Sequence, residues 1–240
     1  MSPRVGATVD LVHGVAVYAA YATAFRGACG FIRAEPPKPE TSRNVEGGLK
    51  FALTQAGLSG TIAAFDQTRD NVATSDLSDP LYSIQTGQQR AKDAEADLTW
   101  EPIRNFSLLA NYAYTEAAVT KDNVIAIGNV LARVPRNSGR VAARYRLLNG
   151  AAKGLSFGAG VTGFSSRLDT LPNTVSTPGY AAIDAQAACD FGRRYTIEDS
   201  AVNPTARHTY DPYEYFGFPV VMPNQPLSAY VTLKIRLNKE

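Results

Sequence analysis

Apolar and polar residues alternate with a period of two along most of the chain. The alternation is cleanest over residues 41–68, where Val45, Gly47, Leu49, Phe51 and Leu53 interleave with Glu46, Gly48, Lys50 and Ala52. After a polar break at 54–57, Leu58, Gly60, Ile62 and Ala64 interleave with Ser59, Thr61, Ala63 and Phe65. A period of two belongs to strands with one face in apolar surroundings and the other in a polar space. The short break makes these two strands a hairpin. Variations on this unit fill the chain. They predict strands at about 3–10, 15–25, 45–53, 58–65, 84–100, 106–115, 139–147, 155–164, 179–190 and 228–237. The fold class is therefore all-β, an antiparallel up-and-down meander of about eleven strands.

The connections also alternate, in length. Those near 11–14, 54–57, 101–105 and 148–153 are short; those at 26–40, 69–82, 116–135, 165–178 and 200–226 are long. Short turns at one end of a meander and long loops at the other are the layout of a transmembrane outer-membrane β-barrel. A soluble sandwich mixes its loop lengths and uses Greek-key crossings. In a barrel the polar faces would line a wide lumen. Tyr18, Tyr21, Trp100, Tyr112 and Tyr114 fall toward strand ends, where an aromatic girdle would meet the lipid headgroups.

Composition sharpens this picture without changing it. Charged residues are 19% of the 240, below the roughly 25% of soluble domains. A net charge of +2 gives no electrostatic case for nucleic acid. No run approaches the ~18 apolar residues of a membrane helix, a test to which alternating barrel strands are invisible. The first residues, Met1-Ser2-Pro3-Arg4, show no signal-peptide pattern. Cys29 and Cys189 lack metal-site spacing, and sequence leaves their redox state open.

Candidate chemistry is sparse. Gly158-Ala159-Gly160-Val161-Thr162-Gly163 matches a dinucleotide-binding glycine pattern, but no helical periodicity follows it, so it reads as small residues within a strand. His13 falls in a turn and His208 in a long loop, where each reads as a solvated histidine. Asp93, Glu95 and Asp97 share one strand face and are expected to line a hydrated lumen, paired with neighbouring basic residues. No nucleophile elbow, paired catalytic carboxylates or zinc-protease motif appears, so neither a catalytic nor a metal site is expected.

Several ordered fragments carry a resemblance. They include Ser2-Pro3-Arg4-Val5-Gly6, Tyr18-Ala19-Ala20-Tyr21, Lys38-Pro39-Glu40-Thr41 and Val45-Glu46-Gly47-Gly48-Leu49-Lys50. Further on come Ala110-Asn111-Tyr112-Ala113-Tyr114-Thr115, Val134-Pro135-Arg136-Asn137-Ser138 and Pro178-Gly179-Tyr180 with Asp184. In their order and spacing the chain resembles the C-terminal half of the barrel of TonB-dependent ferric-siderophore receptors. The resemblance implies that residues 1–240 are part of such a barrel, with the plug domain and the N-terminal barrel strands absent. It places the chain in the cell outer membrane, in contact with outer-membrane lipid, with short turns periplasmic and long loops extracellular. It also implies uptake of a ferric siderophore as transported ligand, with no covalently bound cofactor, energised by the TonB complex through the missing plug.

Two departures from the family pattern stand out. The segment from Asp190 to Glu198 reads as a penultimate strand largely deleted at Gly192-Arg193-Arg194. The last strand ends on Leu237 where the family ends on an aromatic, and Asn238-Lys239-Glu240 trails after it. Siderophore complexes are often anionic, which makes loop-proximal aromatic and basic residues the candidate ligand contacts: Phe25, Arg26, Tyr82, Arg133, Arg136 and Arg167. A competing reading is a self-contained small outer-membrane barrel acting as a passive pore or adhesin. The uptake reading predicts an open sheet with two exposed edges; the competing one predicts a closed barrel.

Overall fold

The computed structural model describes residues 2–28, 30–33, 36–79, 81–192, 194–215 and 218–237. Its main feature is one antiparallel sheet of eleven strands. The chain runs through β1 (Arg4–Val12), β2 (Val15–Arg26), β3 (Glu40–Leu53), β4 (Leu58–Ser75) and β5 (Ser83–Ile103). It continues through β6 (Phe106–Lys121), β7 (Asn137–Arg146) and β8 (Leu155–Phe164). Two short strands, β9 (Arg167–Leu168) and β10 (Ser176–Thr177), pair with each other in a loop. After β11 (Tyr180–Phe191) and β12 (Tyr195–Val202) comes a separate hairpin, β13 (Tyr210–Tyr215) with β14 (Phe218–Pro223). The last strand is β15 (Ser228–Ile235). In the sheet the order is β1-β2-β3-β4-β5-β6-β7-β8-β11-β12-β15. Among the described residues β1 and β15 are each paired on one side only, so the sheet is open.

Directly opposed residues of antiparallel strands share a face, and the register therefore sorts the whole sheet. One face carries Val9, Val17 and Leu49 in line, then Ile62, Ala96 and Tyr112, then Val141, Val161 and Ile183. Its large side chains are solvent-exposed: Val5, Val9, Ile62, Tyr112, Val141, Phe157, Val161, Val231 and Leu233 are examples. The buried residues are few and mostly polar, and most lie in the long loops or the strand ends beside them, with Ala63 and Ser156 among the exceptions. Apolar groups outside and polar groups within invert the soluble arrangement and match a sheet whose outer solvent is lipid.

Aromatics rim this outer face. Near the short turns, Trp100 meets Phe106 edge-on at 6.2 Å and Tyr145 meets Phe157 at 5.9 Å. Toward the long loops stand Tyr21, Tyr112 and Tyr114. From Phe106 to Tyr112 and Tyr114 is roughly 20–27 Å along β6 at the usual strand rise, close to the height of a barrel's apolar band. Beyond the upper aromatics the outer face turns charged, with Asp66 and Arg90 as a pair. Asp199 breaks the band itself: it stands between Ala187 and Val231 on the outer face.

Tyr18 does not belong to this girdle. Its register partners put it on the opposite face, where its ring lies over Gly48 and its hydroxyl donates to Glu46 at 2.6 Å. Lys50 Nζ sits 4.6 Å from the ring centroid. A Cβ on Gly48 would come 2.8 Å from the Tyr18 ring and 2.5 Å from the Ile62 carbonyl, so the aromatic occupies space that only glycine leaves free.

Four connections and one strand differ from expectation. Strand β4 runs on to Ser75 and β6 to Lys121, so the loops expected at 69–82 and 116–135 are shorter. Above the apolar band both faces are wet, and a paired strand there carries no apolar alternation to reveal it. The turn expected at 101–105 narrows to Arg104–Asn105. The penultimate strand is not deleted: β12 has 8 residues and pairs along its length with both β11 and β15. Gly192, at φ 65°, supplies the left-handed turn that lets β11 reverse into it at once. Finally, the loop expected over 200–226 holds the β13–β14 hairpin.

Gly158, Gly160 and Gly163 lie within β8, as expected for strand glycines. Cys189 is a free thiol, while Cys29, Arg193 and the trailing residues 238–240 lie outside the described residues. No helix among the described residues is long and apolar enough to cross a membrane.

Candidate functional site

The inner face is polar and unevenly charged. On β7, Arg140 grips Asp184 through two hydrogen bonds of 2.5 and 2.7 Å and also donates to Thr162. Arg146 pairs with Asp190 at 2.5 Å. Small residues make room for these long side chains, and the Arg140 guanidinium lies against Gly160. Asp93, Glu95 and Asp97 face the same interior but make no ion pair among the described residues, which corrects the expected pairing. The register explains it. Their neighbours across β4 are Phe65, Ala63 and Thr61, and across β6 Thr115, Ala113 and Asn111, none of them basic.

The long-loop end is roofed by segments that hold one another. The 122–136 loop folds back on β6 through Leu131 N to Ala117 O at 2.8 Å and Val119 N to Asn129 O at 2.8 Å. Asn173, from the next long loop, clamps Val130 with a donated and an accepted bond of 2.8 and 2.7 Å. Arg133, at φ 68°, donates its amide to Leu168 O at 2.6 Å. The β13–β14 hairpin is moored at its base by Asp211, which accepts from Arg167 at 2.8 Å and from the Tyr180 hydroxyl at 3.0 Å. Higher up, Glu214 pairs with Arg133 at 3.3 Å.

A second group of loops joins at Arg33. It pairs with Asp76 at 2.9 Å and Asp79 at 3.2 Å and stacks over Tyr82 at 5.2 Å. Asp76 also accepts from the Ser78 hydroxyl at 2.7 Å and the Ser78 amide at 2.9 Å. Those two bonds first, and then the Arg33 charge, hold its carboxyl below the ordinary value.

Between the roof and the sheet lies a pocket of about 460 Å³. Arg69 and Gln89 on β4 and β5 form its floor side; Arg133, Asp169, Leu171 and Glu214 come from the loops. Arg69 is held by Glu40, which it meets at 2.5 Å and which also receives Arg26 at 2.8 Å.

The six candidate contacts separate in space. Arg133 lines the pocket, and Arg26 stands behind it through Glu40. Arg167 is only 8% exposed, stacked 5.5 Å from both Phe164 and Tyr180, and serves to moor the hairpin. Tyr82 sits with Arg33 in the other loop group, Phe25 points from the outer face, and Arg136 lies 3.8 Å from Glu116. Sequence reasoning missed Arg69, Gln89, Asp169 and Glu214. The strand extension past Thr68 would have flagged Arg69, whereas Gln89 already lay in the expected strand at 84–100, on the face of Asp93, Glu95 and Asp97.

A family model described as TonB dependent receptor-like, beta-barrel, matches residues 1–203. The chain belongs to that family. Its eleven-stranded sheet is that of an outer-membrane TonB-dependent receptor barrel. The metal-pseudopaline receptor CntO of Pseudomonas aeruginosa is 28% identical over 239 residues, which cover 99% of this chain and 33% of CntO. The ferric-pyoverdine receptor PbuA of Pseudomonas sp. strain M114 is 30% identical over 209 residues, 83% of this chain and 24% of PbuA. Among solved structures, the siderophore receptor PiuA of Acinetobacter baumannii superposes with a TM-score of 0.83 at 19% identity, over 97% of this chain and 35% of that one. This TonB-dependent barrel chain thus spans about a third of the length of CntO, and the relatives are receptors rather than enzymes.

Proposed function

We propose that the chain forms the C-terminal part of an outer-membrane receptor that captures a ferric siderophore or a related metal chelate and imports it with energy from TonB. The observation that carries this reading is the family match over 1–203 together with the loop-roofed pocket at the long-loop mouth. The relatives' ligands, ferric pyoverdine and metal-pseudopaline, are all metal chelates. Coupling to TonB would reside in a plug outside these residues. In this reading Arg133 is the ligand contact among the six candidates, with Arg69 beside it, because their guanidinium forks suit the carboxylates or hydroxamates of an anionic chelate.

The competing reading, a self-contained pore or adhesin, is weakened by the one-sided pairing of β1 and β15. Deleting the coding sequence for this chain in its source cells decides between them. Loss of accumulation of one radiolabelled metal chelate, with unchanged entry of small neutral solutes, is expected. Unchanged chelate uptake with reduced solute entry would reject the receptor reading in favour of a pore.

A further inference from the structure

The mouth pocket holds one carboxylate without an ion-pair partner among the described residues. Four ionic side chains line it: Arg69, Arg133, Asp169 and Glu214. Arg69 pairs with Glu40, which Arg26 shares, and Arg133 pairs with Glu214. Asp169 has no ion-pair partner among the described residues. It is only 4% exposed, and while one oxygen accepts from the Thr177 hydroxyl at 2.6 Å, the other has no hydrogen-bond donor. A carboxylate taken out of water without a counter-charge is costly, and a cation entering its pocket relieves that cost. The segment around it is braced rather than slack: Asp169 N bonds Val175 O at 2.8 Å, and the neighbouring Asn173 is clamped to Val130. The unpaired carboxylate is thus held at the pocket wall by the fold.

We propose that this pocket admits a cationic arm, a protonated amine or guanidinium carried by the metal chelate, and that Asp169 is the group that selects for it. The proposal rests on the receptor reading given above and adds the chemistry of the ligand. A pocket of about 460 Å³ takes an arm of a chelate rather than the whole complex.

Two probes that differ only in this arm test the idea. Ferrioxamine B carries a terminal amine that is protonated at neutral pH, and its N-acetyl derivative is a neutral amide there. Binding of both is measured by fluorescence quenching on the protein as isolated from outer membranes. The expectation is about ten-fold tighter binding of the amine form, with Asp169→Asn bringing the two affinities together. Equal affinities for the two chelates in the unaltered protein would overturn the proposal, and this comparison stands even if the variant does not fold. So would an unchanged preference in a folded Asp169→Asn protein. Failure of both chelates to bind also overturns it. The uptake experiment above is read independently, so the receptor reading can survive each of these results.

Discussion

Single side chains at the loop end decide how the mouth is held, and Arg167 is the clearest of them. It touches Phe164, Tyr180, Asp211 and the Tyr210 carbonyl, and so ties the base of the β13–β14 hairpin directly to the sheet. Arg167→Ala should loosen that hairpin at a cost of about 2 kcal/mol, less than for a fully buried pair because water still reaches Asp211. Faster proteolytic cleavage within 204–227, with the sheet intact, would show it; unchanged cleavage would contradict the mooring role. Asp76 yields a pH dependence. Its folded-state pKa is depressed, so its bonds to Ser78 and Arg33 add stability above the unfolded carboxylate value, near 3.9, and lose it as pH falls through the lower folded value. The protection factor of the Ser78 amide, its exchange rate compared with the intrinsic rate at the same pH, should therefore fall on acidification below about pH 4, and an Asp76→Asn protein should show no such change. Legibility at this scale was by residue type only. Sequence marked arginines as candidates, but Asp169 and Glu214 line the pocket beside Arg133 from segments dozens of residues away, and no local pattern announces a pocket assembled in that way.

Strands were the most legible elements, and only where lipid disciplines them. β8 matched its expected bounds because Val161 and Phe157 must face lipid while Gly158 and Gly160 face the interior. The upper reaches of β4 and β6 escaped notice because no such pressure acts there. The penultimate strand escaped for a different reason. Asp199 interrupts the apolar alternation of β12, so an intact strand read as a remnant. That interruption has a measurable consequence. An acidic side chain on the lipid face costs stability, and Asp199→Leu should raise the stability of the sheet in lipid vesicles by about 1 kcal/mol or more. A urea midpoint that falls in the variant would mean that Asp199 faces a polar partner instead of lipid.

For the molecule as a whole, the unpaired sides of β1 and β15 dominate behaviour in isolation. Each presents a row of unsatisfied backbone donors and acceptors beside exposed Val5, Val9, Val231 and Leu233. The 240-residue chain purified alone in detergent should sediment as a heterogeneous set of oligomers. Its electrophoretic mobility should not show the heat-dependent jump of a closed barrel. A single compact monomer with that jump would mean that the edges find each other in solution.

Parity says what can meet those edges. Eleven antiparallel strands are an odd number, so β1 and β15 point the same way across the membrane. Brought together, they would form a parallel seam, which the up-and-down design nowhere else contains. Two copies inserted in the same direction would face the same mismatch at both joints. Antiparallel closure requires a complementary sheet whose strand number is also odd and whose outermost strands both run opposite to β1. Such a requirement acts as a counting rule on assembly: an even-stranded partner, however sticky, leaves one joint out of phase.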